Sequence, residues 1–172
     1  MRSLELFSGS GSISKVLRER GWECLTLDAD PKARPDILTD IREWDYTAFP
    51  RNYFDFLWAS PVCTMYSVAR TRSKTARDLE WADSLVQAAL CIIEYFQPRL
   101  GWVLENPATG LLKPRPFMQS VPWLCDQCYC LWNEPGQATH PYMKQTRFWG
   151  RLPRELPSRI CDKTCPFADG KR

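Results

Sequence analysis

No apolar run in this chain approaches the length of a membrane span. The opening residues, Met1-Arg2-Ser3-Leu4-Glu5, lack the apolar core of a signal peptide. These two absences predict a protein with no membrane partner that works in the cytosol, or in the host cytoplasm if the chain is viral. Strong charge imbalance is also missing. The net charge of +3 says little by itself about partners. Composition departs little from that of an ordinary globular domain, with 44% hydrophobic and 25% charged residues. At 172 residues the chain is long enough for one domain with a core and a small appendage.

Two things are present in quantity. The first is a polarity of charge along the chain. Residues 1–60 carry 8 basic and 10 acidic side chains, whereas residues 61–172 carry 15 and 10. A basic excess confined to the second part fits the approach of an anionic polymer or nucleotide there, and equally a solvated basic surface. The second is cysteine, with eight residues. Cys24, Cys63 and Cys91 are scattered, and Cys125, Cys128, Cys130, Cys161 and Cys165 cluster in the last third. In a reducing compartment such clustering points to metal rather than to disulfides.

The chain is organised around Trp58-Ala59-Ser60-Pro61-Val62-Cys63-Thr64-Met65-Tyr66-Ser67. Asp55 to Ala59 reads as a short buried strand, and Pro61, which has no N–H for a ladder, ends it. Cys63 then lies just past the carboxyl end of a strand, where open α/β sheets place ligands and chemistry. A free cysteine is often mere core filling. Here Arg70, Arg72, Lys74 and Arg77 follow closely, and a thiol at a strand tip beside cations reads as a nucleophile. Residues 64–77 are polar, basic and aperiodic, as in a loop that closes over a substrate.

Ahead of this stretch, Leu4 to Phe7 reads as a strand and Ser8-Gly9-Ser10-Gly11-Ser12 as a turn. Ile13 to Arg20 reads as a helix with Ile13, Val16 and Leu17 on its buried face, closed by Gly21. Cys24 to Leu27 reads as a second strand ending at Asp28. This is the first unit of a nucleotide-binding Rossmann fold, with the acid 17 residues after Gly11. Ser14 stands where a third glycine of G-x-G-x-x-G would be. The pattern implies an adenosine-bearing cofactor without choosing between a dinucleotide and S-adenosylmethionine. Ile37-Leu38 reads as a third strand. Asp40, just past it, either meets the adenine amino group or caps a helix over Ile41 to Trp44. Tyr46 to Tyr53 reads as a loop. Asp78 to Phe96 is the clearest helix, with Leu85, Ala88, Ala89, Ile92, Ile93 and Phe96 on one face and Pro98 as its stop. Trp102-Val103-Leu104 reads as the next strand, ended by Glu105-Asn106-Pro107. The Glu105 carboxylate thus falls on the same sheet edge as Cys63.

With these motifs in place the chain resembles the cytosine-C5 DNA methyltransferase family through most of residues 3–150. Leu4-Glu5-Leu6-Phe7-Ser8-Gly9-Ser10-Gly11 resembles its first cofactor motif, and Asp28-Ala29 the ribose-binding acid and its neighbour. Asp40-Ile41 resembles the adenine-binding pair. Ser60-Pro61-Val62-Cys63 with Tyr66-Ser67 resembles the nucleophile motif, Glu105-Asn106-Pro107 the Glu-Asn-Val motif, and Gln145-Thr146-Arg147 part of the Gln-x-Arg-x-Arg motif. The chain departs from the family at Val62 (a proline there), Pro107 (a valine) and Trp149 (an arginine), and in lacking length for a separate target-recognition domain.

The resemblance implies an α/β, Rossmann-like S-adenosylmethionine-dependent methyltransferase core over residues 1–120. A Cys-rich lobe over 121–172 would complete the site. It implies Cys63 as the thiolate that adds to cytosine C6, Glu105 at N3, Asn106 holding that loop, and Arg147 supporting the base or Glu105. Phe7, Ser8, Gly9, Ser10, Gly11, Asp28, Ala29, Asp40, Ile41, Ser60 and Pro61 would surround the cofactor. Ser67, Arg70, Arg72, Lys74, Lys144 and Gln145 would meet DNA, single- or double-stranded, a duplex base having to flip out to be reached. RNA or a free cytidine nucleotide would suit the same chemistry. A zinc-bearing nucleic-acid-binding module that has lost catalysis would explain Val62 and Trp149, but not the intact Cys63 and Glu105. A dehydrogenase is disfavoured because no hydride-transfer constellation follows the glycine turn.

In the lobe, Cys125-Asp126-Gln127-Cys128 and Cys161-Asp162-Lys163-Thr164-Cys165 have spacings suited to one tetrahedral structural zinc, with Cys130 and His140 as alternative ligands. A short lobe rich in proline and tryptophan has little core, so metal would supply folding energy.

Overall fold

Strand β1 (Arg2–Leu6) sets the pattern for the molecule. Its alternating side chains divide between two faces. Leu4 and Leu6 enter the main core, while Glu5 turns to the other face and accepts the backbone N–H of Ser14 at 2.8 Å. In the computed structural model, which describes residues 1–70, 73, 75–132 and 144–165, the chain continues through α1 (Ser12–Glu19), β2 (Glu23–Asp28), β3 (Ile37–Leu38), β4 (Phe56–Ala59), α2 (Leu79–Phe96), β5 (Trp102–Pro107), β6 (Trp123–Cys128) and β7 (Gln145–Arg151). One seven-stranded sheet results, in the order β3-β2-β1-β4-β5-β7-β6. Strands β1 to β5 are mutually parallel, and β7 inserts antiparallel between β5 and β6.

The order reverses at β1. The chain runs outward to β3 and then returns to place β4 on β1's other side, so the loops after β1 and β4 part to leave a crevice.

The main core is built on α2. Leu85, Ala89, Ile92, Ile93 and Phe96 are buried as its spacing predicts, with Ala82 and Val86 beside them. Asp78 caps the helix by accepting the Trp81 N–H at 2.8 Å. Residues 46–53, read as a loop, carry a short 3₁₀ turn whose aromatic rings pack on the helix end. Phe54 meets Phe96 edge-on at 4.9 Å, and the Tyr95 hydroxyl reaches the Phe49 carbonyl at 2.9 Å.

Three sequence expectations change. In α1, Val16 is exposed and Ser14 is the buried residue, because Glu5 rather than an apolar stripe docks the helix N-terminus. Gly21, at φ +79°, does close the helix, in a conformation that costs glycine least. β5 runs on through Pro107, so Glu105 and Asn106 are strand residues, on opposite faces. Finally, the division at 120/121 does not divide the sheet. β6 and β7 both lie beyond it, and β7 pairs with β5 from Trp102 to Pro107.

The outer edge of β6 is covered by the tail. Arg159 N–H donates to the Asp126 carbonyl at 2.9 Å, and Cys128 N–H to the Arg159 carbonyl at 2.8 Å. An edge strand is thereby protected from pairing with another chain.

Candidate active site

The glycine turn is braced by the acid that ends β2. Gly9 N–H donates to one Asp28 carboxylate oxygen at 2.8 Å and Asp30 N–H to the other, also at 2.8 Å. Gly9 and Gly11 take φ of +49° and +65°, a region that a side chain at either position would make costly. Ser8 is buried, whereas the Ser10 hydroxyl faces that of Ser12 at 3.3 Å. Below the turn opens a cavity of about 330 Å³. Its walls are Phe7, Leu27, Ile41, Val62, Trp81 and Leu85, and its polar edge includes Asp28, Thr39 and Asp40, with Ala29 and Asp30 beside them.

The geometry suits a nucleoside: an apolar slot for a flat base, and a carboxylate whose two oxygens each keep a lone pair for ribose hydroxyls. Asp40 does two jobs. It caps the turn that follows, accepting Arg42 N–H at 2.9 Å, and it lines the cavity. The Arg42 guanidinium bonded to it holds its carboxyl below the usual carboxylate range, against the opposing effect of burial.

Of the cofactor residues expected from the sequence, Phe7, Asp28, Ala29, Asp40 and Ile41 line this cavity, whereas Ser8 to Gly11 do not and join it only through the Gly9 N–H bond to Asp28. Ser60 and Pro61 do not line it. Trp81 and Val62 were missed. Trp81 reads only as part of a helix's first turn, and nothing local says which cavity that turn will face. Val62 lines the cavity, and Cys63 follows it in the chain.

Ser60 N–H continues the ladder to the Leu6 carbonyl at 3.2 Å before the chain leaves β4. The buried Asn106 side chain donates to the Pro61 carbonyl at 3.0 Å. The Ser60 hydroxyl, itself accepting from the Trp58 indole at 2.8 Å, lies 3.4 Å from a Glu105 oxygen. Cys63 is half-buried, and its carbonyl accepts Tyr66 N–H at 3.1 Å in a turn. The fully buried Tyr66 anchors that turn by donating to Asp83 at 2.8 Å. Two contacts between the β4 loop and β5 thus fix the segment bearing Cys63 against the strand bearing Glu105.

The other Glu105 oxygen accepts the Tyr129 hydroxyl at 3.1 Å and the Lys144 ammonium at 3.3 Å. The ammonium also lies over the Tyr129 ring, 4.8 Å from its centre. Burial favours the neutral amine at Lys144, but the charge of Glu105, then of Tyr129 and Cys63, outweighs it and pushes the pKa up. The Tyr129 phenol is pushed up as well, first by burial and then by Glu105.

Arg147 is elsewhere engaged. Register places it on β7 between Asn106 and Asp126. Its guanidinium grips Asp126 through two bonds of 2.7 Å, in a pair only 15% and 8% exposed. It therefore makes no bond to Glu105, which pairs across with Phe148 and faces the other way. Lys144, expected at the DNA, takes that position instead.

The other expected nucleic-acid contacts are dispersed. Arg70 bends onto its own loop, donating to the Thr75 and Ala76 carbonyls, each at 3.1 Å. The Ser67 carbonyl accepts from Arg77 at 3.0 Å. Half-buried Gln145 opens β7, its carbonyl accepting Ala108 N–H at 3.0 Å. Arg72, Lys74 and His140 lie outside the described residues.

The cysteines sort differently from the C-x-x-C reading. Thiols of Cys128, Cys130 and Cys161 lie within 4.8 Å of one another, and Cys165 packs against them. Cys125 is not among them. It is fully buried in the sheet beside Gln127, whose amide lies 3.5 Å from its sulfur. Along a strand, residues three apart point to opposite faces. The spacing that brings two thiols together at the end of β6 is Cys-x-Cys.

A parallel sheet closed by an antiparallel pair, with a cavity at its reversal point walled by apolar side chains and edged by Asp28 and Asp40, defines a Rossmann-like methyltransferase. Among solved structures, the Dnmt2 methyltransferase of S. pombe matches 91% of this chain and 53% of its own, at 17% identity and a TM-score of 0.55. Dnmt2 of Spodoptera frugiperda matches 92% and 55%, at 14% identity and a TM-score of 0.57. The chain spans about half the length of these two structures. No family model matches it. A "Probable DNA (cytosine-5)-methyltransferase" of Frog virus 3 is 36% identical over 181 residues, covering 96% of this chain and 78% of the relative. The chain belongs to the cytosine-C5 methyltransferase family.

Proposed function

We propose that this protein transfers a methyl group from S-adenosylmethionine to C5 of cytosine in DNA, through a covalent bond between Cys63 and C6. The observation that carries the proposal is the double tie between the β4 loop and β5: Asn106 to the Pro61 carbonyl, and Ser60 to Glu105. The tie holds the nucleophile loop and the carboxylate strand as one unit. The name of the Frog virus 3 relative supports DNA as the substrate, and its origin supports action within a host cell.

Cytosine C5 is a poor nucleophile, so the chain must activate it. Cys63, as a thiolate, adds to C6 and drives the electron pair towards C5. Glu105 steadies N3 by hydrogen bonding or proton donation as charge builds on the ring. The Tyr129 hydroxyl and the Lys144 ammonium hold that carboxyl in place. Phe7, Asp28, Asp40 and Trp81 would hold S-adenosylmethionine, whose sulfonium would supply the methyl that C5 takes, the S–CH3 bond breaking to leave S-adenosylhomocysteine. Loss of the C5 proton to a base then expels the Cys63 thiolate and restores the aromatic ring. A duplex substrate must flip its cytosine to expose C6.

The test is transfer of labelled methyl from the cofactor to duplex DNA, single-stranded DNA, RNA and cytidine nucleotides side by side. DNA labelled at cytosine C5 is the expected result, together with a stable adduct on 5-fluorocytosine DNA that Cys63→Ala does not form. Labelling of RNA or nucleotide alone would move the substrate assignment. No labelling of any cytosine, with cofactor bound, would overturn the proposal.

A further inference from the structure

Apart from the main core the protein has a second buried cluster, which among the described residues consists of cysteine alone. Cys128, Cys130 and Cys161 are 1%, 6% and 8% exposed, with Cys165 partly buried against them. The Cys128 and Cys130 sulfurs are 3.2 Å apart, those of Cys128, Cys130 and Cys161 lie within 4.8 Å of one another, and Cys165 packs alongside. Thiolates at the corners of a zinc tetrahedron stand about 3.8 Å apart, given Zn–S bonds of about 2.3 Å. Cys128, Cys130 and Cys161 already approach that spacing, and Cys165, packed against them, is the fourth thiol at hand.

The loop between the second pair is shaped for a thiolate. Lys163 takes a φ of +70°, unusual for a residue with a side chain, and this turns its N–H onto the Cys161 sulfur at 3.3 Å. Asp162 fastens the turn by accepting the Thr164 N–H at 3.0 Å. Backbone N–H bonds to a ligand sulfur orient it and stabilise its negative charge. Four reduced thiols bury little apolar surface, and among the described residues the tail is otherwise held to β6 mainly by polar contacts, the Arg159 backbone bonds among them. These include the Asp126 N–H to the Ser158 hydroxyl at 3.0 Å and the Gln127 amide to the Pro157 carbonyl at 2.8 Å.

We propose that Cys128, Cys130, Cys161 and Cys165 bind one structural zinc ion, and that this metal sets the position of Tyr129 on Glu105. Tyr129 lies between the first two ligands. Its N–H is bonded to the Lys144 carbonyl at 3.1 Å and its hydroxyl to Glu105 at 3.1 Å. Fixing both flanking sulfurs fixes the residue between them, and through it the carboxylate and the lysine that share it. Zinc binds the thiolate forms, so loading releases thiol protons and pins the tail to β6. Tyr129 is a positioning residue. The metal assignment stands independently of the methyl-transfer proposal, and only the link to Glu105 rests on it.

The experiment uses the full chain purified under reducing conditions. Elemental analysis is expected to find one zinc per chain. Cobalt replacement should give thiolate-to-cobalt charge-transfer bands and the visible bands of a tetrahedral site. Cys130→Ser and Cys161→Ser should lose the metal, whereas Cys125→Ser should keep it. Should a serine variant fail to fold, titrating the wild-type chain with a mercurial should release zinc in step with thiol modification. A wild-type chain without zinc or cobalt bands overturns the site. Loss of metal in Cys125→Ser with retention in Cys130→Ser overturns this set of ligands. Metal removal should also slow methyl transfer by about tenfold while cofactor affinity is kept, and Tyr129→Phe should retain zinc but shift the pH profile of transfer. An unchanged rate after metal removal, or an unchanged profile, overturns the link to Glu105.

Discussion

Replacing Arg147 by methionine separates a structural role from a chemical one. The residue matches a family motif whose arginine is expected at the base or at Glu105, yet its guanidinium grips Asp126 through two bonds of 2.7 Å. With the pair 15% and 8% exposed, its removal strands the Asp126 carboxylate between β6 and β7. Opposite charges about 4 Å apart at an effective dielectric of about 20 attract by about 4 kcal/mol. Measured costs of orphaning one partner of a buried pair are about 3–5 kcal/mol. We expect Arg147→Met to lose about 3–4 kcal/mol, a large share of the stability of an ordinary domain. The melting point should fall by about 10 °C. Asp126→Leu should do likewise. The double variant should recover most of the loss, because two apolar side chains strand no charge. Urea unfolding gives the free energies. Methyl transfer per folded molecule, measured well below the melting point, gives the chemistry and should stay near wild type for all three. An Arg147→Met protein with wild-type stability but no activity would refute the reasoning and return Arg147 to the reacting base.

Acid should act on the same pair. The Asp126 carboxyl is raised by burial but lowered by more through Arg147 and Trp123, so its folded pKa lies below its unfolded value. Its contribution is therefore complete above the unfolded pKa of about 3.9 and is lost as pH falls through the folded value. Stability of the wild type should drop below about pH 4, more steeply than that of the double variant. Glu5→Ala should cost about 1–2 kcal/mol in urea unfolding, since it leaves the Ser14 and Ile13 N–H groups of α1 without their carboxylate. Trp81→Ala should weaken S-adenosylmethionine binding by calorimetry at least about tenfold, as loss of a stacking aromatic face does elsewhere, with little change in melting point. Lys144→Met should keep the fold and slow methyl transfer by about a hundredfold, as loss of one electrostatic donor at a reacting group does.

Much of the fold could be read locally. Strand, glycine turn, helix, strand and acid follow one another within the first 28 residues, and α2 announces itself by period, cap and stop. The cofactor side of the site was legible for that reason. Asp28 and the turn it braces are neighbours through a single strand–helix–strand unit. Other features carried no local mark. β6 and β7 were hidden because their stability comes from pairing with β5. The tail was hidden because it is tied down by backbone bonds to an edge strand.

By itself, then, the sequence determined the class of sheet and the strand–turn–helix–strand order on the cofactor side of the crevice, and it singled out Cys63, past the end of β4, and Glu105, within β5, as the candidate reactive groups. Only the tertiary structure decided who meets whom: Arg147 with Asp126, Lys144 and Tyr129 with Glu105, Cys130 rather than Cys125 with the thiols of the tail. The physical reason is that these partners are brought together by strand register and by the two-residue alternation of side chains across a sheet. A shift of one position sends a side chain to the opposite face, and a motif spacing read without its strand does not say which face that is.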